Sequence, residues 1–296
     1  MPNPAFLILA GPTASGKSAA ALALAERVGG AVVNADSMQV YAALRVLTAR
    51  PGEDEAARAP HHLYGHVAQD ERYSAGRYAR EAAAAVAASR AAGRVPILVG
   101  GTGLYLRAVT QGLSPVPPVP AEAEAQAAQA WEEDPRAMRA GLLARDPDAA
   151  RLAPTDRQRH VRRAGVLAAT GRTLTDWQTQ RSVPLPGPFR AAVLSPPREA
   201  LAARIDARAE AMMNDALAEV AALRAGGPVA GPLAGALGVA ALSAHLDGLI
   251  TRAEALERLR VETRRYAKRQ RTWFRGQTDW ETFETPQAAT AYLAGA

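Results

Sequence analysis

Residues Gly11-Pro12-Thr13-Ala14-Ser15-Gly16-Lys17-Ser18 constrain this chain more than any other stretch, since they follow an apolar run and precede an Ala- and Leu-rich segment. The spacing G-x-x-x-x-G-K-[ST] between a strand and a helix is typical of a phosphate-binding loop. Its glycines let successive backbone N–H groups point at one anion, and the positive end of the following helix adds to the attraction. The sequence therefore predicts a polyphosphate site with Lys17 on the outer phosphates and Ser18 as a ligand for Mg²⁺.

The cation usage of the chain supports this interpretation. Lys occurs only at positions 17 and 268, and all the other cationic residues among the 35 Lys and Arg are Arg. A compact ammonium inside the loop is therefore a specific requirement of the site. The loop alone does not specify the polyphosphate, because kinases, GTPases and transferases of diphosphate esters all use it.

Composition limits the remaining possibilities. The chain has 296 residues, 48% of them hydrophobic and only 5% aromatic, which favours a helix-rich core in one large or two modest domains. Cys is absent, which excludes disulfides, thiolate nucleophiles and Cys-based zinc sites. The apolar run at the start is too short for a signal peptide, and no stretch approaches the length of a membrane span. We expect a cytoplasmic monomer that makes no use of a membrane.

Short apolar runs alternate with helical patterns, which predicts a parallel sheet flanked by helices, as in P-loop NTPases. The runs at 32–36, 95–99 and 189–195 are read as further strands, whereas the composition of 50–69 indicates an irregular surface excursion. Asp36 and Thr102 come at or just after strand ends, where ligands bind in open parallel sheets. Asp36 is therefore interpreted as a carboxylate working on the substrate or as a Mg²⁺ neighbour, with a helix N-cap as the structural alternative.

A Pro-rich segment at 114–120 predicts a domain boundary. We assign 1–119 and 183–296 to the catalytic core and 120–182 to an all-helical insertion. Helical spacing places Arg159, Arg162 and Arg163 on one face of this insertion.

The net charge of +6 makes a polyanionic partner plausible. The last long helix, about 252–276, carries a second basic stripe along one side. Leu256, Leu259 and Tyr266 lie roughly opposite this stripe. Trp273 and Phe274 either stack on bases or pack in the core, and either basic group alone could be only a solvated face. The stripe consists of Arg264, Lys268, Arg271 and Arg275.

Several further motifs, taken in order, resemble the bacterial tRNA dimethylallyltransferases, also called tRNA isopentenyltransferases. Individually only the phosphate loop is widely shared, but the order and spacing of the whole set are specific. The motifs are Gly-Pro-Thr-Ala-Ser-Gly-Lys-Ser at 11–18, Asp-Ser-Met-Gln-Val-Tyr at 36–41, Pro-His-His-Leu at 60–63, Gly-Gly-Thr-Gly-Leu-Tyr at 100–105, Gln-Arg at 158–159 and Lys-Arg-Gln-Arg-Thr-Trp-Phe-Arg at 268–275.

The resemblance implies transfer of a five-carbon group from dimethylallyl diphosphate to the exocyclic amine of the adenosine 3′ of the anticodon, in tRNAs that read codons beginning with U. It implies that the loop holds the diphosphate with Mg²⁺, that Asp36 acts as the base, and that Lys17, Thr102 and Arg208 act at the donor. The implied contacts to the anticodon stem-loop are Asp36, Ser37, Met38, Gln39, Thr102, Gln158, Arg159, His160, Val161, Arg162, Lys268, Arg269, Arg271 and Arg275.

The chain departs from the family pattern in three places. After Tyr41 the usual Arg-Gly-Leu-Asp-Ile-Gly-Thr-Ala-Lys-Pro is Ala-Ala-Leu-Arg-Val-Leu-Thr-Ala-Arg-Pro, at 42–51. The usual Asp-Pro-x-x-Arg becomes Pro-Ala-Glu-Ala-Glu at 120–124, and Ile-Gly-Tyr-[Arg/Lys] becomes Leu-Gly-Val-Ala at 237–240. Alternatives to tRNA prenylation are a transferase that prenylates free adenine nucleotides, a P-loop kinase of small molecules, and an RNA-binding protein with a vestigial loop.

Overall fold

A computed structural model describes residues 4–295 of the chain. It divides into two compact units, one formed by the residues up to Val109 together with those from Leu185 onward, the other by Thr110–Pro184. The first unit carries the sheet, and the second is helical. Among the described residues, no helix is both long and apolar enough to cross a bilayer.

The sheet of the first unit has six parallel strands in the order β3-β2-β4-β1-β5-β6. The phosphate loop follows β1, which lies between β4 and β5, so that Asp36 and Thr102 emerge at the same edge of the sheet. The strands are β1 Phe6–Ala10, β2 Gly30–Asn34, β3 His61–His62, β4 Val95–Gly100, β5 Phe189–Leu194 and β6 Glu281–Phe283.

Strand β1 shows why this sequence forms a central strand. All five of its residues are buried, and its side chains alternate between the two faces of the sheet. Phe6 and Ile8 belong to one hydrophobic cluster, while Leu7 and Leu9 belong to a second cluster on the opposite face. Helices therefore cover both faces, and the predicted parallel α/β architecture is confirmed.

Eight helices of the first unit surround this sheet within residues 4–295. Ser74 caps α3 by accepting a hydrogen bond from the Arg77 N–H at 3.1 Å, as its sequence position predicts. The expectation of an irregular excursion over 50–69 was incomplete, because α2 and the edge strand β3 form there. These helices are α1 Lys17–Val28, α2 Glu53–Arg58, α3 Ala75–Ala91, α4 Gly103–Gln111, α9 Arg198–Leu223, α10 Val239–Leu246, α11 Arg252–Gln277 and α12 Pro286–Ala294.

The long helices α9 and α11 pack against each other and, with α10, build a third hydrophobic cluster. Leu256 and Leu259 of α11 are buried there, as the predicted inward face requires. The segment that follows Tyr41 joins the same cluster through Leu44 and Leu47. The Glu219 carboxylate of α9 accepts the backbone N–H groups of residues 45, 46 and 47 at 2.6, 2.8 and 2.9 Å and holds that segment in place.

The second unit consists of four α-helices and a short 3₁₀ turn within its described residues. The helices of this unit are interrupted at the Asp-Pro pairs; at the first of them, Asp134 caps the next helix and the proline begins it. Another helix ends at Gly171, which has a φ of 67°. The elements are α5 Ala121–Glu133, α6 Pro135–Arg145, the turn Pro147–Arg151, α7 Arg157–Thr170 and α8 Leu174–Gln178.

Candidate active site

The phosphate loop has an open anion-binding conformation. Gly16, at φ 91°, occupies the left-handed region just before α1 begins at Lys17. Gly11 admits no side chain, because a Cβ there would lie 2.4 Å from the Leu194 carbonyl oxygen of β5. Within residues 4–295, the backbone N–H groups of Gly16, Lys17 and Ser18 have no acceptor, so they are available to an oxyanion.

Lys17 is half-buried, and its ammonium donates a hydrogen bond to the Pro12 carbonyl oxygen at 3.2 Å. Burial lowers the pKa of Lys17 to about 8, the negative charge of Asp36 opposes that shift, and the positive charge of Arg208 adds to it. Both of these charges therefore lie near the ammonium. A bound diphosphate would supply the anion that keeps Lys17 protonated.

Asp36 lies two residues beyond the end of β2 and is held by the buried Asn34. The Asn34 side-chain oxygen accepts the Asp36 N–H at 2.8 Å, and its amide nitrogen donates to the carbonyl oxygens of Asp36 and Leu63, both at 3.0 Å. One Asp36 carboxylate oxygen accepts the Met38 N–H at 2.9 Å. The other carboxylate oxygen makes no hydrogen bond within the described residues, so it is available to a substrate.

Phenols surround Asp36 and stay protonated. Burial raises the pKa of Tyr64, Tyr105 and Tyr266 well above the usual range, and the nearby carboxylate raises it further in each case. Lys17 and Arg208 therefore interact electrostatically with Asp36, whereas the phenols near it are neutral.

Thr102 links the strand ends of the site. Its side-chain oxygen accepts the Ser37 N–H at 2.9 Å and its hydroxyl donates to the Ser37 hydroxyl at 3.3 Å, while its own N–H donates to the Ala35 carbonyl oxygen at 3.2 Å. Thr102 therefore fixes the segment that carries Asp36 beside the phosphate loop.

Two arginines of α9 contact the phosphate loop. Arg204 donates to the Ser15 carbonyl oxygen at 2.9 Å and supports the loop backbone. Arg208 donates to the Thr13 hydroxyl oxygen at 3.5 Å and to the Leu47 carbonyl oxygen at 3.4 Å. Burial lowers the pKa of Arg208, and the charge of Asp36 opposes that effect. The predicted donor-side residues Lys17, Thr102 and Arg208 are thus grouped around the loop.

A cleft of about 220 Å³, here called the reaction cleft, joins these groups. It is lined by Thr13 and Ala14 of the phosphate loop, by Arg208 of α9 and by the segment 36–38. Tyr266 and Arg269 of α11 close it, and the Arg269 guanidinium lies 5.4 Å from the centroid of the Tyr266 ring. Residues of the phosphate loop, Arg208 and Asp36 therefore face one cleft.

A larger cleft of about 800 Å³, here called the basic cleft, lies on the other side of α11. Within residues 4–295, Lys268, Arg271 and Arg275 have no acidic partner, whereas Arg264 pairs with Asp206 and Glu257. The cationic residues that line the basic cleft are Arg198, Arg264, Arg265, Lys268, Arg271 and Arg275. All four residues of the predicted stripe therefore line one cleft, whereas Arg269 faces the reaction cleft.

The basic segment of α7 differs from its predicted role in two positions. His160 is fully buried against Trp131, with ring centroids 5.1 Å apart, so its side chain offers no contact to RNA. Arg163, expected on the same face as Arg159 and Arg162, is buried instead and pairs with Asp146 and Thr175. The helix must bury one face against its unit, and these two positions lie on that face.

Among the predicted RNA contacts of α7, Gln158, Arg159 and Arg162 are exposed, while Val161 is half-buried. Arg162 donates to Glu124 at 3.2 Å, one of the acids where the family pattern has Arg. Arg159 keeps 72% of its side chain exposed and lies 3.4 Å from the carboxylate of Asp156. Arg159 is therefore the most accessible cation among the predicted contacts of this unit.

Two other predicted contacts have structural uses. The Gln39 side-chain amide donates to the carbonyl oxygens of Thr48 and Ala49 at 2.8 and 3.0 Å, so it supports the segment after Tyr41. Phe274 is buried in the core and the half-buried Trp273 packs against it, which favours packing over base stacking. A Cβ at Gly103 would lie 2.3 Å from the Trp273 ring, so Gly103 makes room for α11.

Sequence reasoning did not single out Asn34 or Gln270 as site residues. Gln270 is buried on α11, where its side chain contacts both the phosphate loop and the turn before Thr102. Its place three residues after Ala267 and four before Phe274, both apolar and buried, is the signal that could have identified it.

Comparison with known proteins gives one consistent family. Residues 39–277 match the family described as IPP transferase. A tRNA dimethylallyltransferase of Rhodopseudomonas palustris is 53% identical over 298 residues, covering 98% of this chain and 92% of the relative. A tRNA dimethylallyltransferase of Phenylobacterium zucineum is 52% identical over 279 residues, covering 93% and 91%.

Solved structures agree with these matches. The full-length tRNA isopentenylpyrophosphate transferase of Bacillus halodurans is similar with a TM-score of 0.70 and 29% identity, over 98% of this chain and 95% of that one. A eukaryotic dimethylallyltransferase described as acting on tRNA is similar with a TM-score of 0.81 and 25% identity, over 98% of this chain and 76% of that one.

Proposed function

The chain belongs to the IPP transferase family, and from this premise we infer that it is a tRNA dimethylallyltransferase. We propose that it moves a dimethylallyl group from dimethylallyl diphosphate to the exocyclic amine of the adenosine 3′ of the anticodon in tRNAs reading codons that begin with U. The observation that carries the proposal is that the phosphate loop, Arg208 and Asp36 share the reaction cleft.

On the donor side, the bond between the allylic carbon and the diphosphate oxygen breaks, and negative charge develops on the leaving group. The free N–H groups of Gly16, Lys17 and Ser18 bind its oxygens, and the charges of Lys17 and Arg208 offset its charge. These groups are fixed before the reaction begins, since Arg204 and Arg208 hold the loop from α9. Preorganised donors of this kind stabilise the developing anion at little reorganisation cost.

On the acceptor side, the adenine amine attacks the allylic carbon, and its proton passes to the Asp36 carboxylate. This proton acceptor is needed because the lone pair of the amine is delocalised into the ring, which makes the amine a poor nucleophile. Asp36 lines the cleft, and the Met38 N–H holds one of its carboxylate oxygens while the other is left for the amine proton. Thr102 and Ser37 keep this segment beside the donor.

The Ser18 hydroxyl, half-buried in the first turn of α1, fits a Mg²⁺ site of the kind that combines one or two protein oxygens with waters and substrate phosphates. Bound there, the ion would neutralise charge on the leaving diphosphate. We propose Asp36 as the acidic residue that contacts the ion through water.

We propose that the tRNA anticodon stem-loop contacts Gln158, Arg159 and Arg162 of the helical unit together with Lys268, Arg269, Arg271 and Arg275 of α11. The adenine must leave its stack to reach Asp36. Cations that bind the flanking RNA backbone would offset the free energy lost on unstacking. We propose that the chain acts as a monomer in the cytoplasm.

The test is an incubation of the purified chain with Mg²⁺, dimethylallyl diphosphate and unmodified tRNA, followed by mass analysis of the nucleosides. Parallel reactions contain AMP in place of tRNA, or ATP in place of the prenyl donor. We expect a five-carbon addition to adenosine in tRNA only. Addition to AMP would identify a transferase of free nucleotides, and ATP consumption without prenyl transfer would identify a kinase; both results contradict the proposal.

A further inference from the structure

Gln270 is a buried amide on a helix, between the exposed Arg269 and the half-buried Arg271. Its side-chain oxygen accepts the Thr13 N–H of the phosphate loop at 2.9 Å, and its side-chain nitrogen donates to the Gly101 carbonyl oxygen at 3.0 Å. One side chain therefore bridges the loop after β1 and the turn after β4. Both of its polar ends are used inside the protein.

The surroundings of Gln270 show that this bridge is built closely. A Cβ at Gly101 would lie 2.1 Å from the Gln270 side-chain nitrogen, so a glycine is required there. The next residue, Thr102, accepts the Ser37 N–H and so holds the segment of Asp36. On the other side, the Thr13 hydroxyl accepts a hydrogen bond from Arg208. Through one amide, Gln270 thus connects the phosphate loop, which Arg208 contacts, to the turn that holds the segment of Asp36.

We propose that Gln270 is a positioning residue for prenyl transfer, which sets the separation between the phosphate loop and the Thr102 turn and thereby between the donor carbon and the acceptor amine. The inference rests on the proposed function, and it adds to it a residue that contacts neither substrate. Attack on carbon depends steeply on the distance and alignment of the reacting atoms. A loosened bridge should therefore lower the rate of transfer more than the affinity for either substrate.

The first variant is Gln270→Met, which keeps the length of the side chain and removes both hydrogen bonds. We expect the single-turnover rate at saturating tRNA and donor to fall by about 10- to 100-fold, with the Kd for tRNA within about twofold of the unchanged chain. The matched control is Gln277→Met on the same helix, where the side chain is exposed and, within residues 4–295, its amide bonds only to the adjacent Gly276. This control should transfer at the normal rate.

The second variant, Gln270→Glu, keeps an acceptor for the Thr13 N–H and loses the donor to Gly101. It also places a carboxylate beside a site for diphosphate, so the KM for the donor should rise as well as the rate fall. This variant keeps the test decisive if Gln270→Met does not fold, and Gln277→Glu controls for the added charge.

An unchanged rate in folded Gln270 variants, or a loss of tRNA affinity alone, would overturn the inference. The unchanged chain is measured in the same assay. If it transfers no prenyl group, the proposed function fails, whereas normal transfer by the unchanged chain and by the Gln270 variants removes only the role of Gln270.

Discussion

At the scale of single residues, Lys17 combines the clearest motif with the clearest perturbation. Burial lowers its pKa to about 8, so in the free protein its charge is only partly retained in mildly alkaline solution. A diphosphate in the loop places anionic oxygens against the ammonium and raises the pKa again. Free and donor-bound enzyme should therefore respond differently to pH.

We predict that kcat/KM for dimethylallyl diphosphate falls above pH 8, approaching a tenfold loss per pH unit. The sign follows because a lowered pKa leaves Lys17 neutral above that value, and a neutral amine does not attract the donor. The parameter kcat/KM reports the free enzyme and kcat the bound complex, so kcat should stay flat over pH 7–9. Initial rates over pH 6.5–9.5 check both; a flat kcat/KM profile would contradict the role of Lys17 as the titrating group.

The contacts of Asp36 allow its role in catalysis to be tested separately from tRNA binding. One of its carboxylate oxygens accepts the Met38 N–H at 2.9 Å, and the side-chain oxygen of an Asn can accept the same hydrogen bond. The Asp36→Asn change therefore preserves the local backbone while removing the base.

We predict that Asp36→Asn lowers the single-turnover rate by about 10²- to 10⁴-fold, because the attacking amine loses its proton acceptor. The Kd for tRNA, measured by filter binding, should change by less than about threefold. Asp70→Asn makes the same chemical change at an exposed position and should be without effect. A variant that binds tRNA poorly but transfers normally once saturated would make Asp36 a contact residue.

At the scale of elements, α11 serves two clefts and the core at once. Its inward side carries Gln270 and Phe274, one flank turns Tyr266 and Arg269 to the reaction cleft, and the other turns Arg271 to the basic cleft. A helix has room for three such rows because its side chains project around the full circle. The RNA contacts proposed on α11 and the support of the phosphate loop therefore lie on one helix.

We predict that Arg271→Ala weakens tRNA binding and reduces the slope of log K against log salt by about 0.7 to 0.9, the loss of one phosphate contact. Arg258→Ala is the matched control, since it removes the same charge from an exposed position of α11 outside both clefts. Binding isotherms between about 50 and 200 mM salt give the slopes. Equal slopes for the two variants would show that Arg271 is merely solvated.

Helix α7 shows how packing selects among residues of one type. Arg163 is buried with Asp146, whereas Arg159, four residues earlier, is largely exposed. Removing one partner of a buried ion pair typically costs about 3–5 kcal/mol, so Arg163 is part of the stability of its unit. Loss of activity on changing Arg163 would therefore be no evidence of RNA contact.

At the scale of the whole molecule, the two units are connected in a way that permits their separation. The Leu185 N–H donates to the Val109 carbonyl oxygen at 2.8 Å, and both side chains belong to the core cluster beside the sheet. The chain therefore leaves the first unit and re-enters it at neighbouring positions. An insertion with adjacent ends is expected to be removable without breaking the core.

We predict that replacing residues 110–184 with a short Gly/Ser linker leaves a folded core that binds inorganic diphosphate and Mg²⁺ but no longer modifies tRNA. Circular dichroism melting tests the fold, calorimetry with diphosphate tests the loop, and the transfer assay tests function. Lys17→Ala in the shortened chain is the control for specific diphosphate binding. Continued tRNA modification by the shortened chain would refute a role of the helical unit in RNA binding.

Much of this organisation follows from local sequence. The phosphate loop, the caps at Ser74 and Asp134, and the alternation of Phe6 to Leu9 depend on residues close together in the chain, where spacing and backbone preference decide. The edge strands β3 and β6 were not predicted, because strands of two and three residues carry too little pattern and form only beside an existing sheet.

The sequence by itself determined the phosphate loop, the parallel α/β class, the helical insertion and the family, since each is written in local patterns or in ordered motifs. Only the tertiary structure decided which polar residues face a cleft: it buried His160 and Arg163, divided the cations of α11 between two clefts, and brought Gln270 to Thr13, 257 positions away. The physical reason is that periodicity tells which residues share a helix face, whereas the elements packed against that face decide whether it meets solvent, substrate or core.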